Sequence, residues 1–257
     1  MESLRLAPCS ILLQHSIPTS LWFEDAIGRY GVPTGVFDLH LLVPDIEQAS
    51  DILRQQGWSP EPPSIYSCLS STPPIRFQRL VAPPTEGTPD IGPPPSLPSP
   101  YELPSERFAT VLYYASDWGV TTDDLVDATN TGFLPSLPLL ADALIGGLLD
   151  SPDDSRFQSH LSAMVAYLYA HVPELKDKAF AERMNPVHRQ FHLDCLSGQF
   201  YRWTIPFIKH ERQIREALRK GNYNLRECSA CRTEENKILF NDLNPTVSKT
   251  KADSNKI

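Results

Sequence analysis

The chain has 257 residues, 41% of them hydrophobic, with 31 acidic against 23 basic residues and a net charge of −8. That is enough for a substantial core in one large domain or two small ones, and no apolar run approaches the length that crosses a bilayer, so a membrane is not expected among its partners. Five cysteines, odd in number and irregularly spaced, fit reduced thiols better than a disulfide framework.

The N-terminus lacks the charged-then-apolar layout of a secretory signal, so a cytoplasmic or nuclear location is expected. Charge is unevenly distributed. Residues 1–154 hold 6 basic and 20 acidic residues, net −14, whereas residues 155–257 hold 17 and 11, net +6. Two mutually attracting faces explain this most simply. A basic C-terminal surface that meets an anionic partner is the sharper alternative.

In chain order, Trp22 to Tyr30 reads as a short helix closed by the turn Gly31-Val32-Pro33. Val36 to Val43 then alternates, with Asp38 and His40 on one side and Phe37, Leu39, Leu41 and Val43 on the other. The expectation is a half-buried strand with two polar groups on its open face. Pro44-Asp45 opens a second helix through Ile46, Ala49, Ile52 and Leu53 to Gly57. Ile75–Val81 and Phe108–Tyr114 read as further strands.

Between those two strands, residues 82–105 hold nine of the 25 prolines. Proline removes amide donors and favours extended backbone, so this is expected to be a surface loop. Pro95, Pro98 and Pro100 approach a PxxP pattern, which gives the loop a possible role as a ligand for an aromatic-lined groove on a protein partner. Asp117-Trp118-Gly119 reads as a turn, and helical periodicity follows it. Leu134–Leu149 carries a wide apolar stripe through Leu137, Leu140, Ala141, Leu144, Ile145 and Leu148. Arg156–His171 places Phe157, Leu161, Met164, Leu168 and His171 on one face. A third helix is expected over Lys178–Leu196, with an interruption before Pro186, and a fourth over Pro206–Lys220. The polar tail after Phe240 has no pattern and reads as disordered.

Several constellations have chemical potential. His188 and His192 share a helix face, with Asp194 and Cys195 nearby, and make half of a zinc site. Arg189 stands where HExxH would require Glu, so polar packing is the default for the pair. Cys228-Ser229-Ala230-Cys231 is a CxxC without a second pair. On the fourth helix, Glu211–Arg215 and Glu216–Lys220 read as solvated i,i+4 pairs, leaving Arg212 as an anion-binding candidate. Gly146-Gly147 lacks the flanking strand of a phosphate loop and reads as close helix packing. Trp118 and Trp203 read as packing residues.

The order helix, Tyr-Gly-Val-Pro, strand with spaced polar residues, helix and Gly-Trp, over about residues 9–82, resembles the start of the nucleotidyltransferase fold, the polymerase-β-like superfamily. Members resembling this arrangement have an apolar strand ending in Gly-Gly or Gly-Ser, a short helix, and a strand with an Asp-x-Asp pair. A third carboxylate on a later strand completes their metal site. By this resemblance Ser20-Leu21-Trp22 ends the first strand, Ala26–Tyr30 is the helix and Asp38-Leu39-His40 is the pair.

The chain departs from the pattern in three ways. Phe23-Glu24 stands where the glycines would let backbone approach phosphate. His40, a poor Mg²⁺ ligand, replaces the second carboxylate. The later strand offers Arg76 and Gln78 instead of an acid. Stretches such as GVPTGVFDLHLLVPD and HRQFHLDCLSG also resemble a group of uncharacterised fungal proteins.

The expectation is therefore an α+β protein. Residues 1–132 form a nucleotidyltransferase-like region with a small mixed sheet and flanking helices, residues 133–240 form a helical region of about four helices, and residues 241–257 form a tail. The resemblance implies a catalytically degenerate module that binds or regulates. Asp38, His40 and Glu24 are the remnant site, and no cofactor is expected. The alternatives are a live transferase and a partner-binding module using the proline-rich loop. In a live transferase Asp38 and Glu24 hold Mg²⁺, and Arg189 or Arg212 meets the nucleotide phosphates. A protein partner is expected and a nucleotide ligand remains open, while nucleic acid is not expected.

Overall fold

The computed structural model describes residues 5–35, 37–62, 75–83, 109–200 and 204–229. The proline-rich stretch from residue 84, Trp203, Cys231 and the tail 241–257 lie outside them. Two compact units divide between Leu140 and Ala141. The architecture is α+β, with a five-stranded mixed sheet and flanking helices, and helical structure after it. Among the described residues no helix is long and apolar enough to cross a membrane.

In the first unit the chain runs α1 (Ala7–Gln14), β1 (Ser20–Leu21), α2 (Phe23–Arg29), β2 (Leu39–Val43), α3 (Ile46–Gln55), β3 (Ser59–Pro60), β4 (Phe77–Val81), β5 (Ala109–Tyr114) and α4 (Thr122–Asn130). The strands lie in the order β1-β2-β5-β4-β3, and β2 pairs in parallel with β5 while the other neighbours are antiparallel. Asp45 caps α3 by accepting from the amide of Gln48 at 2.8 Å. A capping box between Thr121 and Asp124 starts α4.

The pairing registers sort the side chains by face. Leu42, Tyr113 and Phe77 align across three strands, as do His40, Val111 and Arg79. Leu39, Leu41, Leu80 and Leu112 lie on the opposite face and are fully buried. Helix α3 covers that side, where the hydroxyl of Tyr114 reaches Glu47.

All five residues of β2 are buried, including His40, so the half-buried strand expected from alternation is corrected. Its neighbours β1 and β5 make it a central strand, and aromatic side chains close the face on which His40 lies. Phe37, expected on the buried side, precedes the strand and is 72% exposed.

The second unit contains the end of α5 (Leu137–Asp150), then α6 (Arg156–His171), α7 (Arg189–Leu196) and α8 (Thr204–Arg219). The apolar stripe of α5 is buried at all six expected positions. On α6, Phe157, Leu161, Met164 and Leu168 are buried, but His171 is exposed at the last turn. The single helix expected over Lys178–Leu196 is instead two 3₁₀ turns, Lys178–Arg183 and Pro186–His188, followed by α7. Met184 and Asn185 are extended ahead of Pro186, as the ring of a following proline demands.

Candidate functional site

The candidate site of Asp38, His40 and Glu24 sits around the start of β2. The Oδ2 of Asp38 accepts from Nε of Arg79 at 2.9 Å, and Nη1 of Arg79 donates to Glu61 Oε2 at 3.0 Å. The Arg79 side chain is only 11% exposed. Its guanidinium therefore occupies the space beside Asp38 and neutralises the charge that would attract a metal ion. This residue comes from the later strand that sequence reasoning examined for a third acid. Neither Arg76 nor Gln78 plays the part. Arg76 pairs with Asp117 at the surface and lies over the Tyr114 ring at 4.0 Å.

His40 is held among rings. Its Nδ1 lies 2.9 Å from the Tyr113 hydroxyl, and Phe23 approaches edge-on with centroids 5.1 Å apart. Phe23 also meets Tyr113 and Trp118, and Trp22 meets Trp118. Trp118 is thus a packing residue, as expected. Phe23 has φ of 48°, in the left-handed region that glycine adopts freely and a phenylalanine does not. At the position where the resemblance calls for glycine, the backbone keeps a glycine-like conformation and the side chain fills the space as fully buried core.

Glu24 lies in the first turn of α2, and its Oε2 is 3.9 Å from His40 Nε2. Burial pushes its carboxyl up to about 7, and the nearby carboxylates of Asp25 and Asp38 push the same way. Its own backbone amide and Arg5 pull against them. Arg5 grips Asp25 through two bonds of 2.7 and 2.6 Å and also donates to the backbone carbonyl of Asp38 at 3.2 Å. Asp38, His40 and Glu24 are thus neighbours in one polar pocket of the core, but they are not a metal cluster. Cavities of about 230 and 440 Å³ lie elsewhere, lined by residues such as Tyr30, Asp127 and Thr131, and Tyr169, Lys178 and Cys195.

The remaining candidates disperse. His188 Nδ1 lies 3.0 Å from Asp142 Oδ1, and its ring faces Gly146, in keeping with close packing at that glycine. Both nitrogens of His192 are engaged, one with the Tyr169 hydroxyl at 2.9 Å and one with the Asp177 carbonyl at 3.0 Å. The two rings serve different partners and do not form a metal pair. Arg189 donates to the carbonyls of Met184 and Glu182. Arg212 donates to the Leu149 and Ser151 carbonyls at the end of α5 and to Asp153. Both arginines finish backbone ends, and no anion is needed to explain them. Cys228 is disulfide-bonded, so not every cysteine is a reduced thiol.

A second cluster was missed by sequence reasoning. Asp194 on α7 and His210 and Glu211 on α8 are buried, and one ligand atom from each lies within 4.8 Å of the others. Among the described residues this is the one such group of three. Glu211 does not pair with Arg215, which meets Asp150 instead. Glu216 and Lys220 do pair, at 3.1 Å. Asp194 accepts from Gln190 Nε2 at 3.2 Å and from the Ser229 amide at 2.6 Å, and the Ser229 hydroxyl also donates to it. His210 Nε2 lies 2.9 Å from that same hydroxyl oxygen. Burial first, and then the Asp194 carboxylate, hold Glu211 well above the usual carboxylate range, while Ser229 acts the other way.

Comparison of the chain with protein families, curated proteins and solved structures finds no match.

Proposed function

We propose that the chain is a catalytically degenerate nucleotidyltransferase-like protein that acts as a non-catalytic binding or regulatory module. The observation that carries this reading is the Arg79 guanidinium on Asp38, 2.9 Å away and largely buried. A triphosphate reaction needs hard anionic oxygens free to hold Mg²⁺. Here the one carboxylate at the expected position is already neutralised. Two further features support the reading. Phe23 fills the space through which phosphate would approach backbone, and Glu24 beside His40 is held toward its neutral form at physiological pH.

The live-transferase alternative needs Asp38 and Glu24 to share a metal, which would cost both the Arg79 ion pair and the neutral form of Glu24. Nucleotidyl transfer from each of the four labelled ribonucleoside triphosphates, assayed with Mg²⁺ and with Mn²⁺, separates the two. No product above background is expected. Product that disappears in Asp38→Asn would overturn the reading. Nucleotide binding that needs no metal is the positive signature of a retained module.

A further inference from the structure

We propose that Asp194, His210 and Glu211 bind one divalent transition-metal ion, zinc by their donor chemistry, as a structural site joining α7, α8 and the segment that carries Ser229. The three residues are 0%, 0% and 2% exposed. Two carboxylates this deeply buried and this close repel each other unless a proton or a cation lies between them. An imidazole with two carboxylates suits zinc better than Mg²⁺ or Ca²⁺, which prefer oxygen ligands alone.

A second observation points to a ligand at the same place. Oε1 of Glu211, a residue only 2% exposed, is buried without a hydrogen-bond partner among the described residues. Buried oxygens are almost always satisfied, so such an atom beside a histidine and a second carboxylate marks the outline of a coordination shell. Tetrahedral zinc with ligands at about 2.1 Å needs donor separations of about 3.4 Å. Atoms that already lie within 4.8 Å of one another need only small side-chain adjustments to reach this.

Outer partners hold the first ligand in place. Gln190 donates to Asp194 and to the Arg226 carbonyl at 2.9 Å, and accepts from the Arg226 amide at 2.8 Å, pinning the segment that delivers Ser229. Such an outer hydrogen-bond frame is what orients metal ligands. The near-complete burial of the three ligands suits a structural role.

The test uses the full chain, its metal content by mass spectrometry, and thermal unfolding with and without chelator and added Zn²⁺. The expected result is about one zinc per chain, a lower Tm after chelation, and recovery on adding Zn²⁺. Glu211→Gln should weaken zinc affinity by roughly a hundredfold or more, since even the loss of outer partners costs 10- to 100-fold. A chain without metal that ignores Zn²⁺, with Glu211→Gln as stable as the parent or more so, would overturn the proposal in favour of a carboxyl–carboxylate pair sharing a proton. Zinc that stays bound to Glu211→Gln with undiminished affinity would also overturn it, by placing the ion elsewhere. Zinc bound by the parent and lost in Glu211→Gln sustains it.

Discussion

Two polar clusters in this protein, one part-exposed around Asp38 and one buried around Asp194, handle the same electrostatic problem differently. Around Asp38, each negative charge has a guanidinium within hydrogen-bond distance or a neutral form within reach. Asp38 and Glu61 share Arg79, Asp25 is gripped by Arg5, and Glu24 shifts to about 7. Around Asp194 the compensation comes from neutral donors, an amide, a hydroxyl and a carboxamide, while a second carboxylate sits alongside. A carboxylate already matched by arginine has little use for a cation. A buried carboxyl beside a carboxylate, with only dipoles around both, is where the proposed cation would take the place of a proton.

The sharpest way to break this comparison is Asp194→Asn. The amide would point a donor at Ser229 or Gln190 inside a dry cluster, and a loss of about 3–5 kcal/mol is expected in denaturant unfolding. Asp38→Asn should cost only about 1 kcal/mol, because Asp38 is about one-third exposed and Arg79 keeps Glu61 as a partner. Equal losses in the two variants would show that the clusters do not differ as described. Phe23→Ala should lose about 3–4 kcal/mol, since the cavity in the aromatic cluster outweighs any relief of the left-handed backbone.

Glu24 supplies a pH-dependent test. Its raised pKa means that the folded protein keeps a proton that the unfolded chain releases between about 4.5 and about 7. By linkage, this group lowers stability as pH rises through that window and by a constant amount above it. Glu24→Gln should therefore match the parent near pH 4 and exceed it by up to about 3 kcal/mol at pH 8. His160, pushed down to about 4 by burial, works in the opposite direction over much of the same range. Removing Glu24 should therefore leave a stability profile that rises with pH where the parent is flatter. The smallest effect expected is at the α3 cap, where Asp45→Ala should cost about 1 kcal/mol in the same unfolding measurement.

Much of the scaffold was legible from pattern. Alternation located β4 and a run of β-formers located β5, the stripe on α5 is buried as expected, and α6 begins at Arg156 and ends at His171 as its periodicity implies. The burial of His40 was not legible, because it depends on parallel pairing with a strand some 70 residues later. Local alternation cannot distinguish an open face from one closed by Phe23 and Tyr113. The short β1 and β3, two residues each, carry no period at all.

The proximity of Asp38, His40 and Glu24 was readable but their electrostatics were not, since Arg79 reaches Asp38 across 41 positions of sequence. The second cluster left a signal that went unread. Phe207, Glu211 and Ile214 repeat at helical spacing on α8, which places Glu211 on the buried face, where its charge has to be answered by other elements. A charged residue within an apolar stripe deserves more weight than an i,i+4 charge pattern. On α4, Thr121 followed three residues later by Asp124 was likewise a readable start signal.

The most direct test of the proposed non-catalytic role is thermal unfolding of the protein with each nucleoside triphosphate in the presence of Mg²⁺, measured against Mg²⁺ alone and against Asp38→Asn. A ligand that binds only the folded state at a hundred times its dissociation constant stabilises by about 2.7 kcal/mol. With Arg79 holding Asp38, no nucleotide shift should depend on the metal. A Mg²⁺-dependent shift that vanishes in Asp38→Asn would contradict this, and would mean that Arg79 yields its place to the metal when substrate arrives.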